Sequence, residues 1–313
     1  MKPGWQPPAR RRKDTGAGGA ERFRRHFSSA ASPAAFTQPI RISEPAPNTY
    51  IPATAPVRHE RDARGVHRLT LDQPQAFNVL SEAALTQLQC HLDAIAADEG
   101  ARAVVIAAEG KAFCAGHDLK QMKAKPELGY YQRLFAQCTW VMLSIQRLPV
   151  PVIARVQGLA TAAGCQLVAQ CDLAVAVDSA RFGVNGIDVG LFCATPSVPL
   201  VRNMQPKQAM EMLLTGGFIG AEEARARGLV NRVVSADALD AAVEELVAAI
   251  VAKPRAAVAA GKELFYRQRE LGIEAAYQLA GQSMACNMML DVAQEGVQAF
   301  IDKREPTWRR PAP

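Results

Sequence analysis

Twice in this chain a strand-like run empties into a turn of very small residues and then into a helix, and this pattern constrains the fold more than any other feature. The first instance is Ala103 to Ala108, a Gly-Lys turn, and then the segment from Ala112 through Phe113 to Gly116, with a helix expected from His117. The second is Val150 to Val156 followed by Gly158 to Gly164, with a helix expected from Cys165. Continuous apolar strands, each followed at short range by a helix, read as an α/β core with a sheet covered on its faces. At a helix start the first N–H groups have no intrahelical partner, so small residues let an anionic or polarised oxygen approach those donors closely. Two such turns can share one oxygen and stabilise an enolate or a tetrahedral oxyanion. Losing one such donor costs ~3–4 kcal/mol of barrier. The same small residues also permit tight packing of a helix on a sheet, and spacing alone leaves both readings open.

The flanking sequence extends the α/β pattern. Val66 to Leu71 alternates as a strand, and Asp72 to Gln75 supplies a turn. Ser81 reads as an N-cap before Leu85, Leu88, Leu92 and Ile95 at helical spacing, and Gly100 ends that element. A long helix is expected around Tyr130 to Leu148 and a strand at Asp172 to Val177, and from about Ser235 to Lys303 the chain reads almost wholly helical. These textures divide it into an extension at 1–56, an α/β core at 57–250 and a helical C-terminal region at 251–313. No internal sequence repeat is visible.

Charge speaks against one class of function, nucleic-acid binding. The chain carries 36 Lys and Arg against 30 Asp and Glu, a formal net charge of +6. Residues 1–27 hold eight basic residues and only Asp14 and Glu21 as acids, so the remaining residues balance at 28 against 28. A domain of balanced charge gives no support for a basic, nucleic-acid-binding face. Residues 1–56 also contain nine of the 20 prolines and read as disordered. The run Arg24, Arg25, His26, Phe27, Ser28, Ser29 suits a mitochondrial transit peptide, whereas Asp14 and Glu21 suit an upstream extension of a bacterial reading frame. The expected compartment is thus a bacterial cytoplasm, with the mitochondrial matrix as the alternative. No apolar run reaches the ~18 residues needed to span a bilayer. Seven cysteines without a C-x-x-C pair, and His59, His67 and His91 without ligand spacing, predict neither a disulfide framework nor a metal site.

The segment from Ala112 to Lys120, Ala-Phe-Cys-Ala-Gly-His-Asp-Leu-Lys, together with that from Gln157 to Cys165, Gln-Gly-Leu-Ala-Thr-Ala-Ala-Gly-Cys, resembles the paired signature of the enoyl-CoA hydratase/isomerase (crotonase) family. The likeness runs from about Val57 to Trp308 and includes Leu71 to Asn78, Gly220 to Leu229 and Glu295 to Arg304. The run Gly190 to Pro196, Gly-Leu-Phe-Cys-Ala-Thr-Pro, is most similar to a mitochondrial branch of that family and its bacterial relatives. The resemblance implies a crotonase-like spiral of ββα units whose C-terminal helices complete a homotrimer or a hexamer. It implies an acyl-CoA substrate, with coenzyme A as part of that substrate and no other cofactor or metal. It further implies that the main-chain N–H groups of His117 and Ala163 hold the thioester oxygen, and that Ala115 and His117 to Lys120, with Asp118 and Leu119 between, border the CoA groove. Lys120 suits a CoA phosphate or an ordinary solvated surface equally.

The chain also departs from the family. The two glutamates that hydratases of this family use correspond to Gln166 and Gly186, neither of which can serve as general acid or base. Gln166 retains the capacity to orient a water or a carbonyl. Asp188, two positions beyond Gly186, is the substitute carboxylate to consider, its alternative being a surface or capping residue. The His117 ring titrates near neutrality, unless it points away and only its N–H matters. Asp118 suits side-chain bonding within its turn. Tyr130 and Tyr131 reach the acyl pocket or merely pack; Cys114 and Cys165 suit packing better than nucleophilic attack. Lys262, Lys303 and Arg304 read as solvated, or as meeting CoA phosphates across a subunit boundary. The expectation is therefore an acyl-CoA enzyme with unorthodox proton-transfer residues, set against a catalytically silent acyl-CoA-binding homologue.

Overall fold

The computed structural model of this chain describes residues 55–309. The expectation of disorder for residues 1–56 lies outside the described residues except at 55 and 56. Among the described residues ten strands form two sheets. The larger sheet has the order β1-β2-β3-β5-β7-β10, from β1 (Val57–Arg61), β2 (Val66–Leu71), β3 (Ala103–Ala108), β5 (Val152–Val156), β7 (Leu173–Val177) and β10 (Arg232–Val234). Only β1 runs antiparallel to its neighbour; Leu69 faces Ile106 across β2 and β3, and Ile106 faces Ala154 across β3 and β5. The smaller sheet has the order β4-β6-β8-β9, from β4 (Ala112–Cys114), β6 (Leu159–Thr161), β8 (Arg181–Gly183) and β9 (Ile219–Gly220).

The ββα spiral lies in this alternation. Each pair of successive strands, β3 with β4, β5 with β6 and β7 with β8, places its first member in the large sheet and its second in the small one before the chain turns into helix. All six residues of β3 are buried, as its apolar sequence requires of a central parallel strand covered on both faces. The large sheet is covered over β1 and β2 by α1 (Glu82–Ala97), whose buried Leu85, Leu88, Leu92 and Ile95 form the expected stripe. Ser81 caps α1 by accepting a hydrogen bond from the Ala84 N–H. Helix α3 (Leu128–Arg147), which follows the short α2 (Leu119–Ala124), packs beside α1 and buries Leu134, Val141 and Ile145.

Later helices are α4 (Ala163–Gln170), α5 (Ala194–Asn203), α6 (Pro206–Thr215), α7 (Ala221–Ala226) and α8 (Leu239–Val251). The C-terminal region is helical as expected, in α9 (Arg255–Gln268), α10 (Ile273–Met288) and α11 (Asp291–Ile301). Lys262 corrects the expectation of a solvated cation. Its Nζ is buried and donates to the Ile145 and Val150 carbonyls, each at 2.9 Å, and to Asp172 Oδ2 at 2.6 Å. Asp172 also accepts from Tyr266 Oη–H at 2.8 Å and from the Val152 N–H at 2.7 Å, so a satisfied buried network ties α9 to α3 and to the starts of β5 and β7. Arg304 is likewise engaged, bonding both carboxylate oxygens of Glu295 at 2.7 and 2.9 Å. Among the described residues no helix is long and apolar enough to cross a membrane.

Candidate active site

The two small-residue turns meet in space because β4 and β6, the strands that deliver them, are paired neighbours in the small sheet. Their contact point is Gly116. A Cβ at Gly116 would lie 2.9 Å from Ala162 Cβ and 3.1 Å from the Ala163 main-chain nitrogen, and the residue has a φ of +85°. Both facts demand glycine there. The first turn is held from its far side, with the Leu80 N–H donating to the Gly116 carbonyl at 2.7 Å and the Ala115 N–H to the Phe77 carbonyl at 3.0 Å. Residues 77–80 are placed in turn by Asn78. Its side-chain NH₂ donates to the carbonyls of Glu109 and Ala112, and its Oδ1 accepts from the Gln73 N–H, all at 2.8 Å.

The second turn carries backbone strain. Ala162, the N-cap of α4, has φ 50° and ψ −120°, a conformation that belongs to the first central residue of a type II′ turn and favours glycine. Its N–H donates to the Gly183 carbonyl at 2.9 Å. Ala163 is the first residue of α4, so its N–H has no partner within the helix, and the Ala162 side chain offers no cap. The packing reading of the small residues also holds at a different position. A Cβ on Gly164 would stand 2.1 Å from the Cys114 carbonyl oxygen, so that glycine lets α4 lie directly on β4.

Ala115, His117, Ala162 and Ala163 line a cavity of about 290 Å³. Leu119, Met122 and Phe135 form one apolar wall, and Val189 to Pro196 contributes much of the other. No Asp, Glu, Lys, Arg or Tyr lines it among the described residues. Its polar lining includes His117, Thr161, Asn185 and Cys193, with Thr161 Oγ1–H donating to Asn185 Oδ1 at 2.6 Å.

The sequence-derived candidates separate accordingly. His117 lines the cavity, but its ring is anchored to the scaffold, with Nδ1 3.3 Å from the Leu80 carbonyl and the ring edge against Phe135. A carbonyl only accepts, so Nδ1 carries the hydrogen, and Nε2 is buried without a partner. Burial holds this imidazole below its ordinary pKa and hence neutral at pH 7. The helix expected at His117 begins instead at Leu119. Asp118 is its N-cap, accepting from the N–H groups of Lys120 at 2.9 Å and Gln121 at 3.2 Å. Leu119 lines the cavity; Asp118 and Lys120 do not.

Asp188 does not face the cavity. It lies in a 3-10 turn, Asn185–Val189, is exposed, and turns its carboxylate to Gly216, where an added Cβ would meet Oδ1 at 2.7 Å. A base two residues beyond Gly186 is therefore not delivered, because the tight turn swings that side chain to α6. Gln166 is one helical turn past Ala163, 4 % exposed, with its Oε1 unpaired, and it does not line the cavity. Gly186 does line it, but the space for a side chain there is filled: an added Cβ would stand 2.4 Å from the Leu191 carbonyl oxygen and 2.8 Å from Cys193 Sγ. Tyr130 and Tyr131 hydrogen-bond to Glu82 and to the Met122 carbonyl and stay outside the lining. Cys114 and Cys165 are buried, and burial pushes both thiols up to about 12.

Sequence reasoning missed Cys193, Phe135 and the Thr161–Asn185 pair as cavity residues. The run Gly190 to Pro196 was the available signal, because an apolar stretch with glycine and proline between two elements marks a loop that packs on something.

Residues 61–311 match the model of the enoyl-CoA hydratase/isomerase family. The chain belongs to that family. Within the family it is 43 % identical over 248 residues to the rat mitochondrial enoyl-CoA hydratase domain-containing protein 3, covering 79 % of this chain and 83 % of the rat protein. A putative enoyl-CoA hydratase of Thermus thermophilus is 36 % identical over 239 residues, covering 75 % of this chain and 94 % of that protein. Among solved structures, an enoyl-CoA hydratase from Mycobacterium smegmatis superposes with a TM-score of 0.81 at 62 % identity, covering 82 % of this chain and 99 % of that one. Human enoyl-CoA hydratase domain-containing protein 3 superposes at 0.78 with 42 % identity, covering 81 % and 100 %. The family fold and the site geometry thus coincide in one region of the chain.

Proposed function

We propose that this member of the enoyl-CoA hydratase/isomerase family processes an acyl-CoA thioester whose carbonyl oxygen is held by the main-chain N–H groups of His117 and Ala163. The observation that carries this reading is the contact of Gly116 with the Ala162–Ala163 turn at the head of the cavity. Two amide donors aimed at one thioester oxygen stabilise the enolate that forms when a proton leaves or joins the neighbouring carbon. Both donors are main-chain, so the side chains at 117 and 163 are free to vary. Gln166 and Gly186 stand where the family's hydratases carry their two glutamates, so two-glutamate hydration is not available to this chain. The titratable side chains of the lining are His117, whose imidazole burial holds neutral, and Cys193.

A second reading is favoured by the absence of any carboxylate from the lining among the described residues: a protein that binds acyl-CoA and turns nothing over. A panel of CoA thioesters assayed by mass spectrometry and by equilibrium binding separates the two. The enzymatic reading requires at least one altered thioester; several that bind unchanged would leave the binding-protein reading. Ala163→Pro removes one donor while leaving a residue tolerated at a helix start, and is expected to weaken binding and turnover together.

We further infer a homotrimer or hexamer. The C-terminal helices support it by exposing Ile273, Tyr277, Met284 and Phe300 at 72–86 %. A mass three or six times that of the chain in light scattering is the expected result. The proposed location is the cytoplasm in a bacterium or the mitochondrial matrix in a eukaryote, the latter matching the mitochondrial relatives by name.

A further inference from the structure

We propose that Cys193 is a nucleophile of this cavity, which adds reversibly to the β-carbon of a bound α,β-unsaturated acyl-CoA thioester. The proposal rests on the reading of the site as an acyl-CoA site. Cys193 lines the cavity, is 7 % exposed, and is the N-cap of the ten-residue α5 without using its side chain as a cap. Its sulfur takes the place a side chain at Gly186 would occupy, 2.8 Å from that Cβ position, and the Gly186 N–H donates to it at 3.3 Å. That hydrogen bond and the start of α5 both favour developing negative charge on sulfur, against a burial that otherwise keeps the thiol protonated.

Two other polar side chains of the lining are held by the scaffold. Thr161 Oγ1–H donates to Asn185, the His117 Nδ1–H donates to the Leu80 carbonyl, and His117 Nε2 is enclosed. The chemistry closes within the complex. The sulfur lone pair forms the S–C3 bond, the C2=C3 electron pair moves onto the thioester oxygen held by the His117 and Ala163 amides, and the enolate collapses as the thiol proton is delivered to C2. The product is a saturated 3-thioether still attached to coenzyme A, and reversal returns the enoyl thioester and the thiol. No oxidant, metal or further reactant takes part. A soft sulfur nucleophile suits this conjugate addition, and the two amides stabilise the charge it pushes onto oxygen.

The test uses the full chain with (E)-2-butenoyl-CoA, and with butanoyl-CoA as the saturated control. Binding of both is measured by calorimetry and covalent mass by intact-protein and peptide mass spectrometry. The expected result is an increment equal to the whole butenoyl-CoA, mapped to Cys193, absent with butanoyl-CoA and suppressed when butanoyl-CoA competes. It should form about a hundredfold faster than any adduct on the exposed Cys286, the yield of one well-placed oxyanion donor. Cys193→Ala should abolish it while still binding butanoyl-CoA, and Cys193→Ser, which keeps the size of the side chain, should do the same. If both thioesters bind and no adduct forms on Cys193, or it persists in Cys193→Ala, the nucleophile assignment is overturned and the acyl-CoA reading stands. If neither thioester binds, both are overturned.

Discussion

Replacing Gly116 by Ala tests whether the two turns must touch. An alanine there has to adopt φ near +85°, which costs about 1–2 kcal/mol for an L-residue. Its Cβ would also stand 2.9 Å from Ala162 Cβ, 3.1 Å from the Ala163 nitrogen and 3.2 Å from the Thr161 carbonyl oxygen. Relieving that crowding by moving the Ala162 turn adds about 1–3 kcal/mol, as for other overpacked sites. Gly116→Ala should therefore lower unfolding free energy by about 2–5 kcal/mol and displace the Ala163 N–H from a shared oxygen. A misplacement approaching 1 Å should weaken a bound acyl-CoA and slow any turnover by about a hundredfold. The assay is urea denaturation with acyl-CoA titration on the same preparations, run as a double-mutant cycle with Ala162→Gly. The second change deletes the nearest atom and frees a strained φ of 50°, so it should rescue part of the loss with a coupling of about 1 kcal/mol or more. Unchanged stability and affinity in Gly116→Ala, or strict additivity with Ala162→Gly, would refute the argument from contact.

Other perturbations have equally defined outcomes. Lys262→Met leaves the Asp172 carboxylate and two carbonyls without their cation, and should cost about 3–5 kcal/mol in chemical denaturation; Lys262→Met with Asp172→Leu should cost less than the sum of the single changes. Asn78→Ala takes the partner from the Glu109 carbonyl and the Gln73 N–H and leaves the Ala112 carbonyl with Gln157 Nε2, and should destabilise by about 1–3 kcal/mol while lowering acyl-CoA affinity through the 77–80 support of Gly116. Burial first, and then the rings of His91 and His67, hold His59 down at about 4 against 6.5 in an unfolded chain. Its neutral form is favoured by folding, so that contribution is complete above pH 6.5 and is lost as pH falls through 4; His59→Phe should flatten the decline of denaturation midpoints across that window. Native Cys114 and Cys165, held at about 12, should resist a thiol reagent at pH 8 that labels Cys286.

Much of this architecture is legible in local sequence because the physics is local. Ser81 followed by leucines at helical spacing specifies α1, and the unbroken apolar run of β3 specifies a central strand. The strands of the small sheet were hidden: β6 spans only Leu159–Thr161, too short for a period, and the sequence shows only a small-residue turn there. The ββα repeat is likewise structural, since the turn after β8 does not repeat the small-residue pattern of the turns after β4 and β6. The meeting of the two turns is written in their small residues, but their spacing along the chain is silent on whether packing or a ligand requires them. Asp188 escaped because a 3-10 turn decides which way its carboxylate points, and Lys262 because its partner lies 90 residues away in sequence.

The most direct measurement of the central claim is the infrared difference spectrum of an acyl-CoA labelled with carbon-13 at the thioester carbonyl, free and bound. Two main-chain donors on one oxygen polarise the C=O bond, so the bound band should move to lower frequency, and Ala163→Pro should return part of that shift. A bound carbonyl at its free aqueous frequency, unaffected by Ala163→Pro, would contradict the account.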